Sequence, residues 1–260
     1  GRTIGTIGKV GCFSFQSYKL VNAGEGGLLV SDDPDVIARA IIMSGAYEHN
    51  WKKHPALHSA FARWQNRLPL YNQRLSNLSA AIIRPQIPLI AERVARGRRN
   101  HDLVAERLNL SPWISVPEKL GPEERAPDSL QFNLSGMSDD EVLTFAAAAE
   151  AAGVKLQVFG MSKDNARAFW NWSFLGEVPD LPKTRAMLMR ACDTRLPARL
   201  TEDECEAVAE VLVAAAARHR PRARRPSWLG SWEQRIYAQS GRCSAGWAMA
   251  RSSGLQSQDA

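Results

Sequence analysis

Gly11-Cys12-Phe13-Ser14-Phe15-Gln16-Ser17-Tyr18-Lys19-Leu20-Val21-Asn22-Ala23-Gly24-Glu25-Gly26-Gly27 is the stretch on which the fold turns. Gly11 to Phe15 reads as a short buried strand, and Gly27 to Val30 as a second, each bounded by glycine. Between them the chain carries Ser14, Ser17 and Lys19 into a turn, and Gly24, Gly26 and Gly27 permit that turn to be tight. An amine on a rigid turn beside hydroxyls suits a Schiff-base lysine next to a phosphate. A lone lysine after a strand is ordinarily a solvated surface charge. The hydroxyls and the glycine-rich turn beside it make a catalytic amine the competing reading.

Moving outward, Asp33-Pro34 opens a helix running to about Ser44, with proline in its first turn. Gly45 to Leu70 is polar and aromatic, with little apolar period. It reads as a long loop with short helical pieces, and such loops often serve function. Tyr47, His49 and His58 are candidates for the substrate mouth; a polar surface loop is the alternative. Helix begins again at Leu75 and runs from Leu89 to about Leu108, broken or kinked at Pro85 and Pro88. Leu130, Phe132 and Leu134 alternate as in a half-buried strand. Ser138-Asp139-Asp140-Glu141 and Thr201-Glu202-Asp203-Glu204 are capping boxes that open two more helices. Gly153 stops the first of these, and Val154 to Phe159 is a strand. Together these elements read as a small α/β domain.

The 260-residue chain has room for one large or two medium domains. No run approaches the roughly 18 apolar residues of a membrane span. Cys12, Cys192, Cys205 and Cys243 show no metal-ligand spacing and read as free buried thiols in a reducing cytoplasm. The net charge of +6 belongs to the end of the chain. From Arg218 onward there are eight Arg, no Lys and two acids; residues 1 to 217 carry 25 basic and 25 acidic groups. A basic nucleic-acid face on the body is therefore not indicated. Residues 218 to 260 show no helix or strand period and read as a disordered basic tail.

Phe13-Ser14-Phe15 with Lys19 and Gly24-Glu25-Gly26-Gly27, preceded by Gly5-Thr6-Ile7-Gly8-Lys9-Val10-Gly11, resembles the cofactor segment of the DegT–StrS sugar aminotransferases. Tyr71-Asn72-Gln73-Arg74-Leu75-Ser76 with Ala80-Ala81 resembles that family's Asn-x-Arg signature. Leu196-Pro197 and Leu200-Thr201-Glu202-Asp203 resemble its last stretch. The resemblance covers roughly residues 1 to 216.

It implies an α/β fold of the aspartate-aminotransferase type, fold type I of the enzymes that use pyridoxal 5'-phosphate. By the resemblance Lys19 holds the cofactor covalently and moves protons, and Ser14 bonds its phosphate. Asn72 contacts the phosphate from the partner subunit of a homodimer, with Gln16 and Ser17 as weaker candidates and Arg74 as a structural residue. The implied reaction moves an amino group from an amino acid such as glutamate or glutamine to a keto sugar, nucleotide-linked keto sugar or keto-cyclitol. Relatives with His in place of the lysine act as dehydratases, and Lys19 argues against that branch.

The family's acid for the pyridinium nitrogen, its ring-stacking aromatic and its glycine-rich helix start all precede the lysine. With Lys19 so near Gly1, the chain is expected to hold the end of the large domain (1–95), the small domain (96–217) and the tail. It is then a truncated enzyme that lacks its electron-sink partner. Two alternatives stand beside this: a catalytically incompetent remnant, and a non-enzymatic interaction protein with an arginine-rich tail. The Gly160 to Phe174 segment is rich in groups that grip polar ligands.

Overall fold

The computed structural model describes residues 1–45, 50–162 and 166–218. Tyr47 and His49 lie outside the described residues, as does the basic stretch after Arg218.

The opening motif forms an antiparallel hairpin of β1 (Gly11–Ser14) and β2 (Gly27–Val30), in register from Gly11 opposite Val30 to Ser14 opposite Gly27. Its strands are not buried as the sequence suggests. Phe13, Leu28 and Leu29 are exposed, and among the described residues no further strand pairs with the hairpin. Cys12 is exposed for the same reason, whereas Cys192 and Cys205 are buried as expected.

Helix α1 (Pro34–Met43) starts where the sequence places it. The Asp33 carboxylate accepts from the Asp35 and Val36 N–H groups at 2.8 and 3.2 Å. The following segment is more regular than expected. Two 3₁₀ turns (Asn50–Lys53 and Pro55–Leu57) lead into α2 (His58–Trp64). Ala60 and Phe61 are fully buried against Ala38 and Ile42 of α1, with Leu57, Trp64 and Leu68 around them. Leu57, Phe61, Trp64 and Leu68 do follow helical spacing; interleaved polar residues mask it.

Helix α3 (Asn77–Ile83) is capped by Ser76, whose hydroxyl accepts from the Ser79 N–H at 3.0 Å. Pro85 and Pro88 then impose a 3₁₀ stretch, Arg84–Leu89, before α4 (Ile90–Asn109). A proline lacks the N–H and crowds the preceding turn, so the tighter winding appears where the prolines fall. Helix α4 runs unbroken through residues 95 and 96, where the sequence suggests a domain boundary.

The rest builds around one sheet. Strands β3 (Ile114–Ser115), β4 (Ser129–Leu134), β5 (Leu156–Val158) and β6 (Ala191–Arg195) lie in the order β3-β4-β6-β5, every pair antiparallel. Leu130, Phe132 and Leu134 point inward, as their alternation requires. Helices α5 (Asp139–Ala151) and α7 (Glu202–Ala217) open with the two capping boxes, in which side chain and backbone bond reciprocally. A short α6 (Pro182–Leu188) precedes β6. Val104, Leu108, Phe132, Phe145, Leu196 and Leu212 fill the core between sheet and helices. The Phe132 and Phe145 rings meet edge to face at 6.2 Å and 79°.

Gly97 shows how closely α4 is seated. A Cβ there would lie 2.4 Å from the Pro127 carbonyl oxygen, so only glycine lets the helix approach. Nearby, Asn100 is buried and donates to the Pro197 and Leu200 carbonyls at 3.3 and 3.2 Å. Around this seat the arginines of α4 meet acids: Arg96 pairs with Glu92, Arg98 with Glu124, Arg99 with Glu202 and Arg107 with Glu206. The charge balance of the body is thus local, and α4 presents no unbroken basic face.

Candidate functional site

The loop between β1 and β2 closes on itself through its backbone. The Phe15 N–H donates to the Gly26 carbonyl at 2.9 Å, Ala23 to Phe15 at 2.9 Å and Ser17 to Gly24 at 2.8 Å. The Lys19 N–H donates to the Gln16 carbonyl at 2.9 Å, which makes the tight turn that carries the lysine. Gly26 adopts φ +148°, and a Cβ there would strike the Leu75 side chain at 2.8 Å. Leu75 therefore rests on the loop and brings the Tyr71–Ser76 segment to it.

The candidates inside this loop separate by what their polar atoms already do. The Ser17 hydroxyl donates to the Gly24 carbonyl at 3.1 Å and Gln16 Oε1 accepts from the Tyr18 N–H at 3.3 Å. The Ser17 proton is thus spent on the turn, while Gln16 uses only its oxygen there. Ser14 differs: its Oγ accepts from the Gln16 N–H at 3.2 Å, and its own proton has no acceptor among the described residues. Lys19 is exposed, and its amine is in no ion pair among the described residues. Ser14 is exposed as well.

Asn72 sits in an extended segment tied to the end of α1. The Tyr71 N–H donates to the Met43 carbonyl at 2.8 Å and Gln73 to Ser44 at 3.1 Å. These bonds hold the backbone on either side of Asn72 and leave its amide exposed. His58, at the start of α2, is exposed. Arg74 lies beside Gly45.

Other residues hold the Lys19 turn from outside, and the sequence gives no local sign of them. Arg93 of α4 donates to the Leu20 carbonyl at 2.8 Å. Gln86 donates to the Asn22 carbonyl at 2.7 Å and accepts from the Asn22 N–H at 3.3 Å. Arg195 of β6 donates to the Tyr18 carbonyl at 3.2 Å, lies over the Tyr18 ring at 5.4 Å and pairs with Asp128 at 3.2 Å. Their partners are 64 to 177 residues away in sequence.

The anchoring end of a phosphorylated aldehyde cofactor fits this set. A primary amine and a hydroxyl with an unspent proton stand on one hairpin, and neither must break a side-chain bond to receive a ligand. Two clefts lie elsewhere. One of about 340 Å³ is bordered by Arg98, His101 and Arg125, and another of about 580 Å³ by Arg99, Leu103 and Arg107.

Comparison with known proteins identifies the family. A model of the DegT/DnrJ/EryC1/StrS aminotransferase family matches residues 1–213. Over 109 residues the chain is 33% identical to the L-glutamine:scyllo-inosose aminotransferase of Streptomyces griseus, which takes in 42% of this chain and 26% of that enzyme. Its fold superposes on the aminotransferase TlmJ from Streptoalloteichus hindustanus with a TM-score of 0.66 at 20% identity, over 84% of this chain and 55% of that one. The E. coli GDP-4-keto-6-deoxy-D-mannose-3-dehydratase with bound hydrated PLP gives 0.65 at 20% identity, over 81% and 56%. The chain thus spans little more than half the length of these solved relatives. The likeness establishes an α/β architecture of the fold type I kind. The family model covers most of the sequence, including Ser14, Lys19 and Asn72, and the chain belongs to the DegT/DnrJ/EryC1/StrS aminotransferase family.

Proposed function

We propose that this chain carries the cofactor-anchoring half of a pyridoxal-phosphate-dependent aminotransferase site acting on a keto sugar, nucleotide-linked keto sugar or keto-cyclitol. The observation that carries the proposal is the Lys19 turn. Its backbone is braced from within and without, its side chain is exposed, and the Ser14 hydroxyl keeps a proton to give.

Lys19 Nζ is the covalent attachment point and afterwards the group that takes up and returns the migrating proton. Ser14 Oγ–H donates to a phosphate oxygen. Asn72, exposed on its braced segment, donates to the same phosphate in a second copy of the chain, so the working unit is a homodimer. Bound pyridoxal phosphate supplies the electron sink that lets an amino group pass between an amino acid and a keto compound. The amino donor is an amino acid such as glutamine or glutamate, as the name of the Streptomyces griseus relative suggests for the donor. The free thiols of Cys12, Cys192 and Cys205 support a reducing, cytoplasmic setting.

Incubation with pyridoxal phosphate, borohydride reduction and peptide mapping tests this. Lys19 is expected to take most of the label in the native chain, and Lys19→Arg to lose that peptide's label entirely. Equal labelling of Lys19, Lys119 and Lys155 sinks the proposal.

The exposure of Lys19, Ser14 and Asn72 supports a second reading. On it, the chain attaches the cofactor but does not complete transamination by itself. Sustained turnover of glutamine with a keto-cyclitol by the isolated chain would exclude it.

A further inference from the structure

Carbonyls of a surface turn ordinarily face water. Around Lys19 they do not. The Tyr18 carbonyl accepts from Arg195, the Lys19 carbonyl from Asn22 Nδ2 at 3.0 Å, the Leu20 carbonyl from Arg93, and the Asn22 carbonyl from Gln86. Arg93 Nη1 also donates to Gln86 Oε1 at 3.0 Å, which ties two of these donors together. Gln86 meets the Asn22 peptide by both its donor and its acceptor, as a neighbouring strand would. Val21, inside this ring of bonds, is 8% exposed, whereas Tyr18 is 67% exposed. The turn is therefore held on both sides of Lys19, whose side chain, like that of Tyr18, is left outside.

We propose that Arg93 and Gln86, with Arg195 as a second point of hold, are positioning residues that fix the direction in which the Lys19 amine leaves the turn. The proposal rests on the reading of Lys19 as the cofactor anchor. A lysine stem has four methylenes, so a small error in the direction of its Cα–Cβ bond grows along it. Hydrogen bonds from a guanidinium are stronger than neutral ones, and donors on the Tyr18, Leu20 and Asn22 carbonyls, every second residue, restrain the peptide planes from rocking. Nothing in this role requires Arg93 or Gln86 to touch the cofactor or the substrate.

The test uses the full chain with Arg93→Ala, Arg93→Lys and Gln86→Ala. Two quantities are read: amide exchange at Lys19, Asn22 and Ala23, and the rate of borohydride-trapped labelling of Lys19 by pyridoxal phosphate. Lys119 and Lys155 in the same molecule serve as internal standards. In Arg93→Ala and Gln86→Ala the three amides are expected to exchange about fivefold to thirtyfold faster, the range set by losing one or two modest bonds. The Lys19-to-Lys155 labelling ratio is expected to fall about tenfold, and Arg93→Lys to recover part of it.

Unchanged exchange and an unchanged ratio overturn the proposal. Faster exchange with an unchanged ratio overturns it too, since the residues then only glue the turn in place. If Arg93→Ala loosens the whole molecule, Gln86→Ala decides on the same two readings. If native Lys19 shows no labelling preference, the assignment of the site fails, and amide exchange still decides whether the clamp exists.

Discussion

Cys192 and Cys12 show what position does to one side chain. Cys192 lies on β6 with no exposure, and burial, helped by Asp193, pushes its thiol up to about 12. Cys205 is likewise raised, first by burial. Cys12 stands on an uncovered strand. A thiolate is the reacting species, so at neutral pH an alkylating reagent is expected to label Cys12 ahead of Cys192 and Cys205, and to reach those two only after unfolding. Peptide mass mapping against denaturant checks this; early labelling of Cys192 contradicts its burial. As proposals, Lys19 was legible from its turn, and Ser14 and Asn72 from motifs that resemble those of the family. The donors around Lys19 were not. Gln86, Arg93 and Arg195 act on carbonyls, which every residue has, and they reach them across long sequence separations.

Elements with local start signals were readable. Asp33-Pro34, Ser138 to Glu141 and Thr201 to Glu204 each satisfy their own helix N-terminus, so no tertiary information was needed. Helix α2 escaped because its apolar stripe is interleaved with arginine and histidine. Strand β3 escaped because it is two residues long and exists through its pairing with Leu134 and Asn133. The pairing of α1 with α2 is also electrostatic. Asp35 Oδ1 accepts from the Trp64 indole N–H at 2.8 Å and from Arg63 at 3.1 and 2.8 Å. The Trp64 bond first, then Arg63, hold the Asp35 carboxyl below its ordinary 3.8, and Lys9 first, then the Val36 N–H, do the same for Asp33. A depressed carboxylate contributes stability that is present above its ordinary pKa and lost as pH falls through the lower folded value. The Trp64 indole N–H resonance is therefore expected to hold steady down to about pH 4 and to broaden or shift below it. In Asp35→Asn the resonance should not follow this titration. A resonance that titrates equally in the native chain and in Asp35→Asn contradicts the clasp.

At the scale of the molecule there are two apolar centres of unequal size. One is confined to Ala38, Ile42, Ala60 and Phe61 with their neighbours, and the other runs from Val104 to Ala216. Local opening follows buried apolar contact, so amides of β4 and α7 are expected to be the slowest to exchange, those of α1 and α2 intermediate, and those of β1 and β2 the fastest. Exchange mass spectrometry in rising denaturant gives the order, and simultaneous opening of all three would contradict two separate centres. The α/β class of the larger unit could be read from its alternating strand and capped helices. The openness of the β1–β2 hairpin could not, because an apolar strand looks the same in sequence whether or not another layer covers it.

Helix α4 carries Arg93 at the Lys19 turn, Gly97 against Pro127 and Asn100 against the 197–200 loop. These three partners fix not only its position but its rotational phase. Each added residue turns an α-helix by about 100° and advances it about 1.5 Å. A single insertion or deletion between Arg93 and Asn100 would swing one set of contacts away while keeping the other. Evolution can therefore vary the exposed residues of this segment, such as Ala95 and Arg96, but not its length.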